Sequence, residues 1–497
     1  MFAIELHKVK VSQLHVCGVG RIRMQCHRRN NPSARGPPLV ALSHAHMSCC
    51  AVHEHKVLKN DRHSAQHSRR VRITQSKSMK VIIVGAGIGG LACAIACRRR
   101  NLDVLILEQS AEIVPVGAGI QVPPNGARIM QELGLLSRIE EQGMKLEVMD
   151  LRRYKDGRII TSMPCGESIV KEYGAPWIVI HRADYHRILL DKARDLGVAI
   201  RLGALVEKVL VDDTAVIVGS ETIAGDVIIG ADGLWSKIRE AVLDEPHPPE
   251  ETGDLAYRAT FSRAQLLALN DPEVKALCEK QGVTAWLGPK KHAVFYPVRG
   301  GHEYNLVLLQ PDDLPPGVRT TQGNVDEMRY GYREWDPTLA KMISCIPAVL
   351  KWKLCHLPEL PRWTKGSVTL LGDACHPTLP YQAQGAAMAV EDGAVLGLLL
   401  HHVASSPDYR SKIPQALKLY EDLRKPRTAR NVQGAIRNRR GFHLEDGLLQ
   451  RLRDLVLSWS GLTRGTDWIG LMSSRQRAVL GFDVLQEVEQ RMPELST

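Results

Sequence analysis

Gly85, Gly87 and Gly90 follow the apolar run Val81–Val84 and spell G-x-G-x-x-G where a strand gives way to a helix. The chemistry such spacing offers is phosphate recognition by backbone. The first glycine permits the tight turn, the second lets backbone approach a pyrophosphate, and the third lets the helix pack close to the strand. Glu108, 23 residues after Gly85, ends a second apolar run. It is placed to accept hydrogen bonds from the 2′- and 3′-hydroxyls of a ribose, so Lys80–Glu108 predicts a dinucleotide site. Two more strands stop at glycines and an acid, Gly230-Ala231-Asp232-Gly233 and Gly372-Asp373. Each delivers backbone to the carboxyl edge of the sheet, where ligands bind. Gly385 opens a long apolar helix, an end that suits an anion. Arg182 falls in the first turn of another helix, where a cation gains nothing from the dipole. That placement fits an anionic partner or a solvated side chain equally. The glycine cluster Val116-Gly117-Ala118-Gly119 offers either close backbone approach to a ligand or a plain loop.

The elements that must position these residues are legible in outline. Val81–Val84 has the composition of a strand buried on both faces, and Ile88–Arg100 reads as the crossover helix. Cys93 and Cys97, four apart on that helix, read as small apolar residues facing the sheet. Glu147–Met163 reads as a hairpin turning at Asp156-Gly157. A helix from Arg182 to about Leu196 and strands within Val198–Ile229 complete the first part. Residues 251–365 change character and break into short strands, as for an antiparallel sheet inserted into the nucleotide domain. Ser367–Leu371 returns to a buried strand, and the chain beyond 412 is helical and charged. The division expected is 79–250 and 366–410 for the nucleotide domain, 251–365 for the inserted sheet and 411–497 for C-terminal helices.

The net charge of +11 does not signal nucleic acid. Residues 1–78 hold 14 Lys/Arg against 3 Asp/Glu, and the remainder is balanced at 51 of each. The basic excess therefore belongs to the leader and not to the body. The leader lacks the apolar core of a secretory signal and is too rich in His and Pro for a convincing amphipathic presequence. It reads as a disordered extension, of the kind an error of gene prediction produces, with Met79 a natural start. Its segment from His44 to His55 has metal-ligand residue types but no fold to hold them, so no metal is assigned. The scattered cysteines suggest no disulfide framework, which fits a reducing compartment such as the cytoplasm. No run of 18 apolar residues appears, so no membrane span is expected.

Taken together, Gly85-x-Gly87-x-x-Gly90, Gly230-Ala-Asp232-Gly233-x-x-Ser236-x-x-Arg239 and Gly372-Asp373-x-x-His376-Pro377 match three motifs, in order and spacing, of a known family. From Lys80 to about Leu485 the chain resembles the single-component FAD-dependent aromatic hydroxylases (group A), and most of all their salicylate hydroxylase-like branch as found in fungi. The resemblance implies a glutathione-reductase-type α/β FAD domain, an inserted antiparallel β-sheet against which substrate binds, and a helical C-terminus. It implies that Glu108 holds the adenosine ribose and that Gly119 lies near the flavin. Arg182 would reach FAD phosphate or ribityl, and Asp373 the ribityl hydroxyls. Gly385 would belong to the cofactor site, and Ala386 would offer backbone N–H to the flavin's pyrimidine edge. Asp232 and Gly233 would touch FAD and assist NADH or NADPH, which in this family reduces the flavin without a domain of its own. The expected reaction is attack by an electron-rich ring on a flavin C4a-hydroperoxide formed with O₂. On the inserted sheet, Arg258 is the candidate to hold a phenolate or carboxylate, with Tyr257, Tyr296 and His292 as candidate proton acceptors. His376 is expected to be structural. A monomer or homodimer is expected.

Three other readings share the architecture. A flavin-dependent halogenase needs a W-x-W-x-x-P element, which none of the eight Trp forms. An isoprenoid or polyketide epoxidase uses similar motifs and is the alternative enzyme. A non-catalytic lipid-binding protein of this fold would be expected to have lost the intact flavin motifs.

Overall fold

The computed structural model describes residues 78–114, 117–462 and 470–495. The leader before Ser78, with its His- and Cys-bearing segment, and Val116 lie outside the described residues. Strand β1 (Lys80–Val84) is buried along Val81–Val84. It pairs in parallel with β2 (Asp103–Leu107), and helix α1 (Ile88–Arg98) makes the crossover between them. Helix α2 (Arg182–Asp195) leads to the edge strand Ala199–Arg201, parallel to β2. Strand β3 (Val227–Gly230) lies parallel to β1 on its other side and is followed by helix α3 (Lys237–Leu243). A short strand, Thr364–Lys365, closes the far edge of this six-stranded sheet as its antiparallel member. A strand with neighbours on both sides and helices over both faces is apolar at every position, which is why β1 shows no alternation.

The second sheet has eight strands. Its centre is β4 (Glu250–Ser262), β5 (Lys291–Val298) and β6 (Glu303–Pro311), with β6 antiparallel to both neighbours. The sheet is wider than the inserted segment expected from sequence. The hairpin strands Val148–Arg153 and Ile159–Pro164 extend it, the first pairing in parallel with Gly282–Gly288. Gly157 makes the hairpin turn at φ +65°, as the Asp-Gly pair anticipates.

The chain returns to the first sheet through β7 (Val368–Leu370), parallel to β3. Helix α4 (Gly385–Ala404) then packs on α1. A Cβ on Gly393 would lie 2.7 Å from the backbone nitrogen of Cys93, and one on Gly397 would lie 2.7 Å from Cβ of Ala96. Cys93 thus lies in a helix–helix seam, where Gly393 and Gly397 let the backbones come together. Cys93 and Cys97 are both free thiols.

Helix α4 is long and apolar enough to cross a membrane by length and composition, yet 78% of its most apolar window is buried inside the protein. It also carries Glu391 and Asp392, which are buried and met by helix α5 (Tyr409–Phe442). Arg424 reaches both carboxylates at 2.7 Å, and Arg427 bonds Glu391 at 3.0 Å. A buried charge is tolerated only when paired and hydrogen-bonded in this way. This helix is the spine of the fold.

Candidate active site

The glycine turn after β1 divides its labour as the spacing anticipates. Gly85 sits at φ +107°, and a Cβ there would lie 2.8 Å from the carbonyl carbon of Ala231. A Cβ on Gly90 would collide with the carbonyl oxygen of Gly85. Gly87 alone has nothing within 4 Å of where its Cβ would point. Gly85 and Gly90 are therefore packing glycines, while Gly87 keeps backbone open on the side of a cavity of about 410 Å³. Gly87 also stands at the N-cap of α1, where no side chain bonds the free N–H groups.

Elements from distant parts of the chain meet around that cavity. Gly233 and Asp373 line it from loops that follow strands of the first sheet, Gly119 from a separate three-stranded sheet, Arg182 from the start of α2, and Gly385 and Ala386 from the start of α4. Arg258, His292 and Tyr296 line it from the second sheet. Four predicted residues, Gly85, Glu108, Asp232 and Tyr257, are not in its wall. Glu108 sits behind the glycine turn, accepting the Ala86 N–H at 2.8 Å and the Ser110 N–H at 2.9 Å.

Asp232 is engaged within the protein. Its carboxylate accepts Ser236 Oγ at 2.6 Å and the Lys237 N–H at 2.7 Å, which caps α3. Buried Arg239 then donates to the carbonyls of Leu234 (2.9 Å) and Ala374 (3.0 Å). The Asp232…Ser236…Arg239 spacing is a clamp that ties the Gly233 loop to the Gly372–Ala374 loop. Ala231 and Gly233 are the members of the motif that line the cavity.

Tyr257 points the wrong way for a proton acceptor in this cavity. Side chains alternate along a strand, and Tyr257 is buried with Leu255 and Phe261 in the apolar cluster behind the second sheet. Its neighbour Arg258 faces the cavity. Arg258 keeps exposed surface there, yet burial lowers its pKa, with Tyr296 opposing that shift and Arg182 adding to it. Asp373 shows the mirror image. It too keeps exposed surface in the cavity wall, and burial raises its carboxyl against the pull of His376 and Arg182. A cation and an anion, both incompletely solvated, face the same space.

The Asp373 loop is held from below. Asp392 accepts the Gly372 N–H at 3.0 Å and bonds His376 Nε2 at 2.6 Å. Burial alone would raise the Asp392 carboxyl, but His376 and Arg424 outweigh it and hold it low. His376 is structural, as expected, and the ionic cluster on α4 sets where Asp373 sits. On the other flank, Asn125 Nδ2 donates to Glu391 at 2.7 Å and to Gln384 at 3.0 Å, fixing the start of α4.

Among the wall residues that sequence reading missed are Asn305 and Gln384, and it also missed a partner of His292. Asn305 of β6 lines the cavity, buried, in the alternation that sends Tyr304 and Leu306 to the core behind. Period-2 reading of Tyr304–Leu309 would have found it. Gln384 lines the wall one residue before α4 begins. His443, at the end of α5, lies 2.8 Å from His292 Nδ1 through its Nε2, and no local signal marks it. Among the described residues no group of three or more His, Cys, Asp or Glu is placed to hold a metal ion.

The open Cβ space at Gly87, two helix starts without side-chain caps, and the Arg182 and Asp373 side chains together suit a long, polar, phosphate-bearing ligand. Comparison with known proteins agrees. The FAD binding domain family matches residues 78–435. The FAD-dependent monooxygenase OpS4 of Beauveria bassiana is 42% identical over 387 residues, covering 76% of this chain and 89% of that protein. The 3-hydroxybenzoate 6-hydroxylase of Polaromonas naphthalenivorans is 33% identical, covering 78% of this chain and 92% of that protein. Klebsiella pneumoniae HpxO, solved with FAD and uric acid, superposes with a TM-score of 0.66 at 26% identity, covering 81% of this chain and 97% of that one.

Proposed function

Since this chain belongs to the FAD-dependent monooxygenases of the FAD binding domain family, we propose that it hydroxylates a small phenol or aromatic acid, using O₂ and NADH or NADPH. The observation that carries this reading is that Arg258, His292 and Tyr296 of the second sheet share one cavity with the glycine turn and Asp373. Bound FAD supplies the redox chemistry, taking reducing equivalents from the nicotinamide and activating O₂ for transfer of one oxygen atom to the ring.

The residues present fit that group. Backbone at Gly87 and Ala386, the Arg182 guanidinium and the Asp373 carboxylate would hold it, with Glu108 on the adenosine side. Arg258 would bind a carboxylate or phenolate on the substrate, since an anion restores the solvation that burial has removed from its guanidinium. Val294, Val307 and Leu309 supply an apolar wall that keeps water from the reacting ring. His292 is the proton acceptor of choice for a phenolic hydroxyl. Burial pushes its pKa well below the ordinary value, so it stands neutral with a lone pair available. Tyr296 faces the same space, but burial raises its phenol, with only partial relief from Arg258, so it serves as a neutral donor.

In this reading 79–250 and 366–410 serve FAD, 251–365 with the hairpin at 148–164 serves substrate, and 411–497 braces both. Seven free cysteines among the described residues fit a cytoplasmic enzyme. The test is NAD(P)H consumption measured beside hydrogen peroxide release across phenols and benzoates, on purified FAD-loaded protein. Stimulated consumption with little peroxide supports the reading. No stimulation by any member of the panel overturns it for small aromatic substrates.

A further inference from the structure

His292 and His443 come from elements 151 residues apart and meet through ring nitrogens at 2.8 Å. His292 is 2% exposed and lines the cavity, whereas His443, at the end of α5, keeps part of its surface accessible. The pair therefore spans the wall between the substrate space and solvent. An N···N hydrogen bond needs one N–H and one lone pair, which links the tautomers of the two rings. Either both are protonated on Nδ1, leaving His292 Nε2 as a lone pair, or both are protonated on Nε2.

We propose that His292 and His443 form a proton relay that carries the substrate hydroxyl proton from the cavity to solvent. This rests on the hydroxylase reading for the identity of the donor. The substrate O–H bond breaks and its proton joins His292 Nε2. The Nδ1 proton of His292 passes to His443 Nε2, and the Nδ1 proton of His443 leaves to water. The pair ends protonated on both Nε2 atoms and neutral, and the reverse sequence returns a proton to the ring product.

The surroundings favour neutral transfer over storage of a charge. Burial lowers both pKa values, to about 4 for His443, and His443 further disfavours a cation on His292. A lone imidazole held this way is a poor resting place for a proton, but a tautomer shift builds no imidazolium. The groups facing the pair are accounted for. Tyr381 lies 5.1 Å from His292 and 5.6 Å from His443 by ring centroids, and Phe442 lies 5.6 Å from His292. Asp254 and Arg439 act on His443 in opposite senses. Asp254 is already engaged by Tyr381 Oη at 2.6 Å and by Arg439 at 2.8 Å, so it stands as a fixed countercharge and not as a competing base.

His443 acts through His292 and is a positioning and relay residue, so its test needs readouts that packing alone would not move. FAD-loaded protein is mixed without O₂ with a phenol that stimulates NAD(P)H consumption, and proton release is followed by a pH indicator. His443→Gln keeps a hydrogen-bonding side chain but cannot relay. It should slow release by about tenfold or more while substrate affinity and FAD content hold. Added imidazole should restore the rate in His443→Ala. Unchanged release in His443→Gln overturns the relay. Histidine ¹⁵N spectra of the wild-type holoenzyme decide the same point without substrate or variant. Coupled, neutral, like tautomers support the relay, and unlike tautomers or a standing imidazolium at neutral pH overturn it. If no phenol stimulates the wild type, the hydroxylase reading fails by itself, and the spectra still decide the pair.

Discussion

Tyr296 of the second sheet lies against Gly119 of a separate three-stranded sheet so closely that a Cβ on Gly119 would stand 2.7 Å from both Cζ and Oη of the tyrosine. The ring cannot retreat, being only 5% exposed. Gly119→Ala should therefore cost about 1–3 kcal/mol from overpacking and displace Tyr296 within the cavity. The expected result is a lower Tm and more peroxide released per NAD(P)H consumed. Wild-type coupling in this variant would show that Tyr296 is not positioned by Gly119.

Arg258 faces the cavity with its solvation already reduced. Arg258→Ala should keep FAD and raise KM for a carboxylated substrate by about 10- to 100-fold, equivalent to about 1.4–2.7 kcal/mol. Arg258→Lys should recover only part of that, because an ammonium cannot reproduce the bidentate fork. Steady-state kinetics with and without the substrate carboxylate check this, and an unchanged KM would move the anchor elsewhere.

Asp373 is poised in the cavity wall by a loop that Asp392 holds from beneath. Asp373→Ala should leave that loop bonded and the fold intact by far-ultraviolet circular dichroism. The protein should purify pale, and FAD-saturated yellow material would refute the role.

Arg424 pairs with both Glu391 and Asp392 and is itself fully buried. Arg424→Met removes the cation and leaves the carboxylates short of charge compensation, at a cost of about 3–5 kcal/mol. Thermal unfolding should show this as a large fall in Tm. Adding Glu391→Gln and Asp392→Asn should recover part of it. An Arg424→Met protein as stable as the wild type would mean that Arg427 and His376 suffice.

Acid should destabilise the fold through His443. Its pKa is lowered from 6.5 to about 4, first by burial. Between those values the unfolded chain binds more protons than the native one, so stability rises with pH across that window. The contribution is complete above about 6.5 and lost as pH falls through 4, a difference of about 3 kcal/mol. His443→Phe should flatten this part of a pH series of denaturant midpoints, and an unchanged slope would assign the acid sensitivity to other groups.

The sequence by itself determined the nucleotide half of this protein. The β-branched run Val81–Val84, the glycine turn, Glu108 and the two later strand ends at Asp232 and Asp373 are local signals, since turn geometry and strand burial act over a few residues. Tertiary structure alone decided how the rest is used. Tyr257 and Arg258 are adjacent and both suit a site, but a strand sends neighbours to opposite faces, and only the packed core behind the sheet says which face holds the cavity. Asp232 ends a strand where ligands bind, and only the arrival of α3 shows that its carboxylate also caps that helix. Glu391 and Asp392 interrupt an apolar helix for a reason that lies more than 30 residues away, in Arg424 and Arg427. His443 has no motif at all, and its place beside His292 follows from where a 34-residue helix ends. Pairings between distant segments leave no period or turn to read, because the free energy that selects them is gained only when the elements meet.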